Sequence, residues 1–101
     1  MAIYKNISSI ATTTLIEKDG VIGGNISKIT ISNHDNSDQV IVKLYLDDGG
    51  GSDANNPYTL VETTIPPLVT LVLEDNLSFN KLTHSLKIDT STTAEITVII
   101  K

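Results

Sequence analysis

The sequence predicts an all-β chain folded as a single antiparallel β-sandwich or jelly roll of about seven to eight short strands. Three observations carry this. Thr, Ile and Val dominate while alanine is scarce, and β-branched side chains fit a pleated surface better than a helix. Apolar and polar residues alternate with period two in run after run. Clusters of Gly, Pro, Asn and Asp punctuate the runs at intervals of about ten residues, the spacing of a sandwich. No window of about a dozen residues carries a helical stripe.

The opening segment, 1-MAIYKNISSI-10, sets Ile3, Lys5 and Ile7 against Tyr4 and Asn6. It reads as an arm that adds to a neighbour's edge, or as an edge strand of the domain's own sheet. The chain therefore divides into residues 1–9, an N-terminal arm or edge strand, and a β-sandwich domain over 10–101. Turn signals at Lys18-Asp19-Gly20 and Gly23-Gly24-Asn25 precede 26-ISKITIS-32, where Ile29 and Ile31 share a face. After a polar turn over 33–38, the run 39-QVIVKLYLDD-48 places Val40, Val42, Leu44 and Leu46 opposite Ile41, Lys43 and Tyr45.

The stretch 46-LDDGGGSDANNPYTL-60 reads as a long hairpin tip joining 40–46 to 58–65. Pro66-Pro67 then ends a strand, because proline cannot donate to the ladder. Residues 68–73 are apolar at nearly every position, the pattern of a segment covered on both faces, by the core and by a neighbouring subunit. Glu74-Asp75-Asn76 turns the chain into Leu77 and Phe79. Leu86 and Ile88 share a face in 83-THSLKID-89. In the closing run 94-AEITVIIK-101, Ala94, Ile96, Val98 and Ile100 oppose Glu95, Thr97 and Ile99.

Composition narrows the function. A chain of 101 residues has room for one core, and with no cysteine it has no disulfide framework and no thiolate metal site. Net charge is −5, and all seven basic residues are lysines scattered among twelve carboxylates. Phosphate neutralisation needs clustered Lys and Arg, so no nucleic-acid partner is expected. No run approaches the roughly 20 apolar residues of a membrane span, and no membrane partner is expected. The first ten residues lack a signal-peptide pattern, so the sequons at Asn6, Asn25 and Asn76 are read as silent.

Candidate chemistry is sparse. From Asp47 or Asp48, the EF-hand pattern fails at the oxygen-ligand positions and at the closing glutamate. The alternative to a plain hairpin tip is an irregular Ca²⁺ site built from Asp47, Asp48 and Asp53; the three glycines between them argue for the tip, since a flexible loop loses more entropy on closing around an ion. His34 and His84 sit in no metal-ligand spacing. Ser85, His84 and Asp89 contain the residue types of a hydrolytic triad, but neighbours on a strand point to opposite faces. No catalytic or cofactor-binding residue is assigned, and no enzyme activity is expected.

The order of these features resembles the small β-sandwich structural proteins of tailed-bacteriophage virions. The resemblance rests on strand-Asn in 29-ITISN-33, the alternating strand 40–46, the Gly/Asp/Asn tip and Tyr58-Thr59-Leu60. It continues through Ile65-Pro66-Pro67, Thr70-Leu71, Leu73, Leu77-Ser78-Phe79, Leu86-Lys87-Ile88 and the closing strand 94–101, and so covers roughly residues 10–101. It implies a non-enzymatic virion component, a capsid decoration (cement) protein, with a neck, tail or fibre-associated adaptor as the alternative. A host-surface module for carbohydrate or calcium, using the 47–56 loop, is the rival from another class. The partners implied are further copies of the chain, as a homo-oligomer and foremost a trimer, and the major capsid or other virion proteins. The residues expected at those contacts are Ile3, Tyr4, Ile7, Leu68, Val69 and Val72.

Overall fold

The alternating β-branched runs among the described residues become strands. The computed structural model describes residues 2–18, 25–47, 58–74, 76–80 and 82–101. Within them lie β1 (Ile3–Ile7), β2 (Ala11–Ile16), β3 (Asn25–Ile26), β4 (Ile29–Asn33) and β5 (Val40–Asp47). The chain continues through β6 (Tyr58–Ile65), β7 (Thr70–Leu73), β8 (Leu77–Ser78), β9 (Ser85–Thr90) and β10 (Ile96–Ile100). The expected all-β sandwich is therefore observed. Eight strands build two four-stranded antiparallel sheets, ordered β1-β10-β4-β7 and β2-β9-β5-β6. The two-residue strands β3 and β8 add a small ribbon, too short to leave a periodic signal.

The pairings nest. β1 pairs with β10, β2 with β9, β4 with β7 and β5 with β6, so the chain is one long hairpin with β5–β6 at its tip. The contacts β10–β4 and β9–β5 then wrap that hairpin into two facing sheets. This is the jelly-roll solution among the sandwiches. The predicted hairpin between 40–46 and 58–65 is the β5–β6 pair; its connection over 48–57 lies outside the described residues.

The predicted alternation decides what is buried. Val40, Val42, Leu44, Leu86, Ile88, Ala94, Ile96, Val98 and Ile100 all point inward, with Ile29 and Ile31 from β4. Each such aliphatic side chain contributes about 1.5–3 kcal/mol relative to exposure, alanine less. Where the chain crosses between sheets, single side chains hold the crossing. Between β1 and β2, the buried Thr90 donates its hydroxyl to the Ser9 carbonyl at 2.7 Å. Between β9 and β10, Thr92 donates to the Gln39 carbonyl at 3.1 Å.

The N-terminal segment is an edge strand, not an arm. β1 pairs with β10 along its whole length, from Ile3 opposite Ile100 to Ile7 opposite Ile96. Ile3 and Ile7 are buried in the domain's own core, which corrects their expected role as contacts to another subunit. Lys5 has the same parity yet is exposed, and a charge at mid-strand is a common guard on a sheet edge.

Candidate functional site

Two sequence motifs, strand-Asn and Ile-Pro-Pro, prove to be one hydrogen-bonded unit. Asn33 ends β4 with its side chain buried. Its Nδ2 donates to the carbonyls of Asp38 (2.9 Å), Ile65 (3.1 Å) and Pro66 (3.3 Å), and its Oδ1 accepts the Asp35 amide at 3.1 Å. The Asn33 amide donates to the Val69 carbonyl at 3.0 Å. One residue thus ties the 34–39 turn to the corner at which β6 crosses to β7. Asp35 completes that turn: amides of Ser37 and Asp38 donate to its carboxylate and hold its pKa below the ordinary value.

The corner pushes an apolar side chain into solvent. The Val69 amide donates to the Pro66 carbonyl at 3.3 Å, and Leu68 has a φ of 63°. With Pro67 ahead of it, Leu68 occupies the position of a type II turn that glycine or asparagine normally fills. A side chain with a Cβ costs about 1–2 kcal/mol in that left-handed conformation. Leu68 is nevertheless 70% exposed, Val69 42% and Val72 43%, so the domain recovers little from burying them. Leu71 and Leu73, on either side of Val72, pack against the core. The predicted two-faced apolar segment therefore has its inner face covered and its outer face open within one chain.

The same edge carries an apolar cleft. Ile29, Leu44, Leu60, Val61, Leu73 and Leu77 line an opening of about 210 Å³ where the two sheets part between β6 and β7. Among the described residues, no charged side chain contributes to its wall. Nothing in the local sequence pattern announces this cleft, because it is assembled from five strands.

A second cluster lies on the outer face of the same sheet, where β4 ends and β10 begins. Glu95, just before β10, and Thr97 within it lie beside His34: Glu95 Oε2 is 3.4 Å from His34 Nδ1, and His34 Nε2 is 3.1 Å from Thr97 Oγ1. An open cleft of about 280 Å³ adjoins them, lined by Asn6, Ile7, Ser8, His34, Glu95 and Ile96. Carboxylate, imidazole and hydroxyl stand in the order of a hydrolytic relay. The hydrogen bonding runs the other way, however. Thr97 donates its proton to Asn6 Oδ1 at 2.8 Å and leaves the imidazole only an acceptor. Thr97 also lies in an inner strand, opposite Asn6 on one side and Ser32 on the other. Its neighbouring amides belong to the ladders and cannot converge on an oxyanion.

The residues Ser85, His84 and Asp89 take separate partners. Ser85 Oγ accepts the Lys18 amide at 2.9 Å. His84 meets Thr83 and the ring edge of Tyr58. Asp89 accepts from Thr12 at 2.6 Å and from the Tyr45 hydroxyl at 3.1 Å. Of the three aspartates considered for calcium, Asp47 closes β5 and accepts from Lys87 Nζ at 2.6 Å; Asp48 and Asp53 lie outside the described residues. Among the described residues, no three His, Asp or Glu side chains converge to hold a metal ion.

The outer-face pairs Lys87–Asp47 and Tyr45–Asp89 predict alkaline lability. The hydrogen bond from Asp47 raises the pKa of Lys87. Burial, followed by the Asp89 charge, raises that of Tyr45. Both folded-state values exceed the unfolded ones, so the stability they supply is complete below about pH 10 and is lost as pH rises through the folded values. Thermal melts between about pH 9 and 11.5 should show a steep fall in midpoint, and Tyr45→Phe should make it shallower. Identical slopes for the two proteins would remove Tyr45 from this account.

No family model matches the sequence, and no curated protein matches it. Among solved structures, one titled "Crystal structure of PirA" is similar in fold, with a TM-score of 0.53 at 9% identity. The match covers 98% of this chain and 90% of that chain. At that identity the likeness concerns the sandwich alone.

Proposed function

We propose that this protein is a non-enzymatic structural module that acts by assembly, and that the corner over 66–69 with strand β7 is its contact surface. The observation that carries the reading is Leu68. An exposed leucine held at positive φ costs the isolated domain stability and returns little by packing, so its return is sought in a contact outside the domain. Strained backbone of this kind concentrates at functional positions. Tyr4, Leu68, Val69 and Val72 remain available for contacts, whereas Ile3 and Ile7 do not.

The setting we propose follows the sequence resemblance: the particle of a tailed bacteriophage, with decoration of the capsid as the first assignment and a neck, tail or fibre position as the second. The Asn33 hydrogen bonds support it to this extent, that the two motifs carrying the resemblance act as one structural unit. Many weak contacts repeated by symmetry suffice for such a role. Quantitative mass spectrometry of purified particles from a culture expressing the chain tests it. Copies on the order of hundreds per particle are expected for shell decoration, and about six to a few tens for a neck or tail position. Recovery of the chain only in the particle-free fraction would overturn the virion reading.

A further inference from the structure

The four sheet edges are not equally protected against pairing with another chain. β1 carries Lys5 at its centre. β2 loses register against β9 between Thr14 and Ile16. β6 carries Glu62 and loses register against β5 at Leu44 and Tyr45. Charges and irregularities of this kind are the usual guards on exposed edges. β7, 70-TLVL-73, carries neither a charge nor an irregularity and pairs with β4 without interruption. Among the described strands it ends its sheet. Glu74, which follows β7 directly, is paired with Lys28 at 3.8 Å.

Exposed apolar side chains gather at the same edge. Of nine large ones among the described residues, Leu60, Leu68, Val69 and Val72 fall within thirteen consecutive positions on β6, the corner and β7. The protruding Leu68 stands at one end of β7, and the cleft beginning at Leu73 stands at the other. The strand between them spans about 10 Å at 3.3 Å per residue. The cleft, about 210 Å³, exceeds the ~150 Å³ of an apolar cavity that admits benzene, so it has room for an aliphatic side chain.

We propose that two copies of this chain pair antiparallel through the free edges of β7, with Leu68 of each packing at the apolar cleft of the other. This rests on the assembly reading above and names its partner as a second copy. The edge is its own complement only in the antiparallel sense: a two-fold axis at mid-strand brings each Leu68 beside the other copy's Leu73, whereas parallel strands would set like ends together. Opposed residues in such a pair share a face, and the register that sets Leu71 opposite Leu71 places Val72 opposite Thr70 and Leu73 opposite Val69, next to Leu68. The result is one continuous eight-stranded sheet. It also replaces the three-fold expectation from sequence, since an antiparallel strand pair is symmetric about a two-fold axis.

Analytical ultracentrifugation of the full chain tests this with two variants, L68G and V72K. Val72 is exposed, so V72K leaves the core untouched while placing a charge on the edge; L68G removes the knob and suits the left-handed turn. The wild type should sediment as a dimer at high micromolar concentration and V72K as a monomer. L68G should fold with an unchanged or raised thermal midpoint while its dimer dissociation constant rises about 10- to 100-fold. A wild type that stays monomeric, or variants that dimerise as the wild type does, would overturn the pairing. If the chain is monomeric and L68G still reduces particle attachment, the pairing fails and the assembly reading stands. If the chain dimerises but is absent from particles, the pairing stands and the virion reading fails.

Discussion

Deleting residues 2–8 should unfold the domain. Those residues form β1, whose Ile3 and Ile7 are buried beneath the sheet and whose backbone pairs with β10 over five positions. Losing the two isoleucines alone removes about 3–6 kcal/mol of apolar burial. The deletion also turns β10 from an inner strand into an edge, uncovering the core around Val98 and Ile100. Against a total stability of about 5–15 kcal/mol for a typical domain, little margin is left. Circular dichroism with thermal melting decides it: loss of the β spectrum or of a cooperative transition is expected. A truncated protein that melts within a few degrees of the parent would restore the arm reading and show that β1 docks without supporting the core.

The contrast between β1 and the other strands shows which features the sequence could disclose. Alternation over five or more residues identified β5, β9, β10 and the inward faces of β4, because period-two burial is a local property. β1 alternates too, but whether an alternating strand pairs within its own chain depends on a partner at the far end of the sequence. The pairing Ile3–Ile100 joins the two ends of the chain, and no local signal carries it. The candidate sites fail to show for the same reason. His34 meets Glu95 and Thr97 only because β4 lies beside β10, and the cleft at Leu60, Leu73 and Leu77 exists only where two sheets part. The apolar run 68–73 was legible as unusual, and the structure adds what pattern could not: a left-handed leucine at its head and a free edge along its length. The segment 48–57, prominent in composition, lies outside the described residues, and its reading as a hairpin tip rests on the β5–β6 pairing that flanks it.

Asn33 supplies the second large effect. Asn33→Ala should cost about 2–4 kcal/mol, more than removing one exposed hydrogen bond, because four backbone groups in and around a buried site lose their partner together. The direction of those bonds gives a sharper test than their number. Three carbonyl oxygens, of Asp38, Ile65 and Pro66, face the Nδ2 end, while a single amide faces Oδ1. Asn33→Asp keeps the shape and reverses the chemistry, setting a carboxylate oxygen against three acceptors. At neutral pH it should therefore destabilise at least as much as the alanine. The new carboxyl would have a folded-state pKa above its unfolded value, since its neutral form can donate where its charged form cannot. Stability relative to the wild type should accordingly recover below about pH 4 and fall as pH rises through the folded value. Urea unfolding at pH 4 and pH 7 measures this. An aspartate variant equally stable relative to wild type at both pH values would mean that the three carbonyls do not depend on Asn33, and the corner that presents Leu68 would then be held by the Pro66–Val69 turn alone.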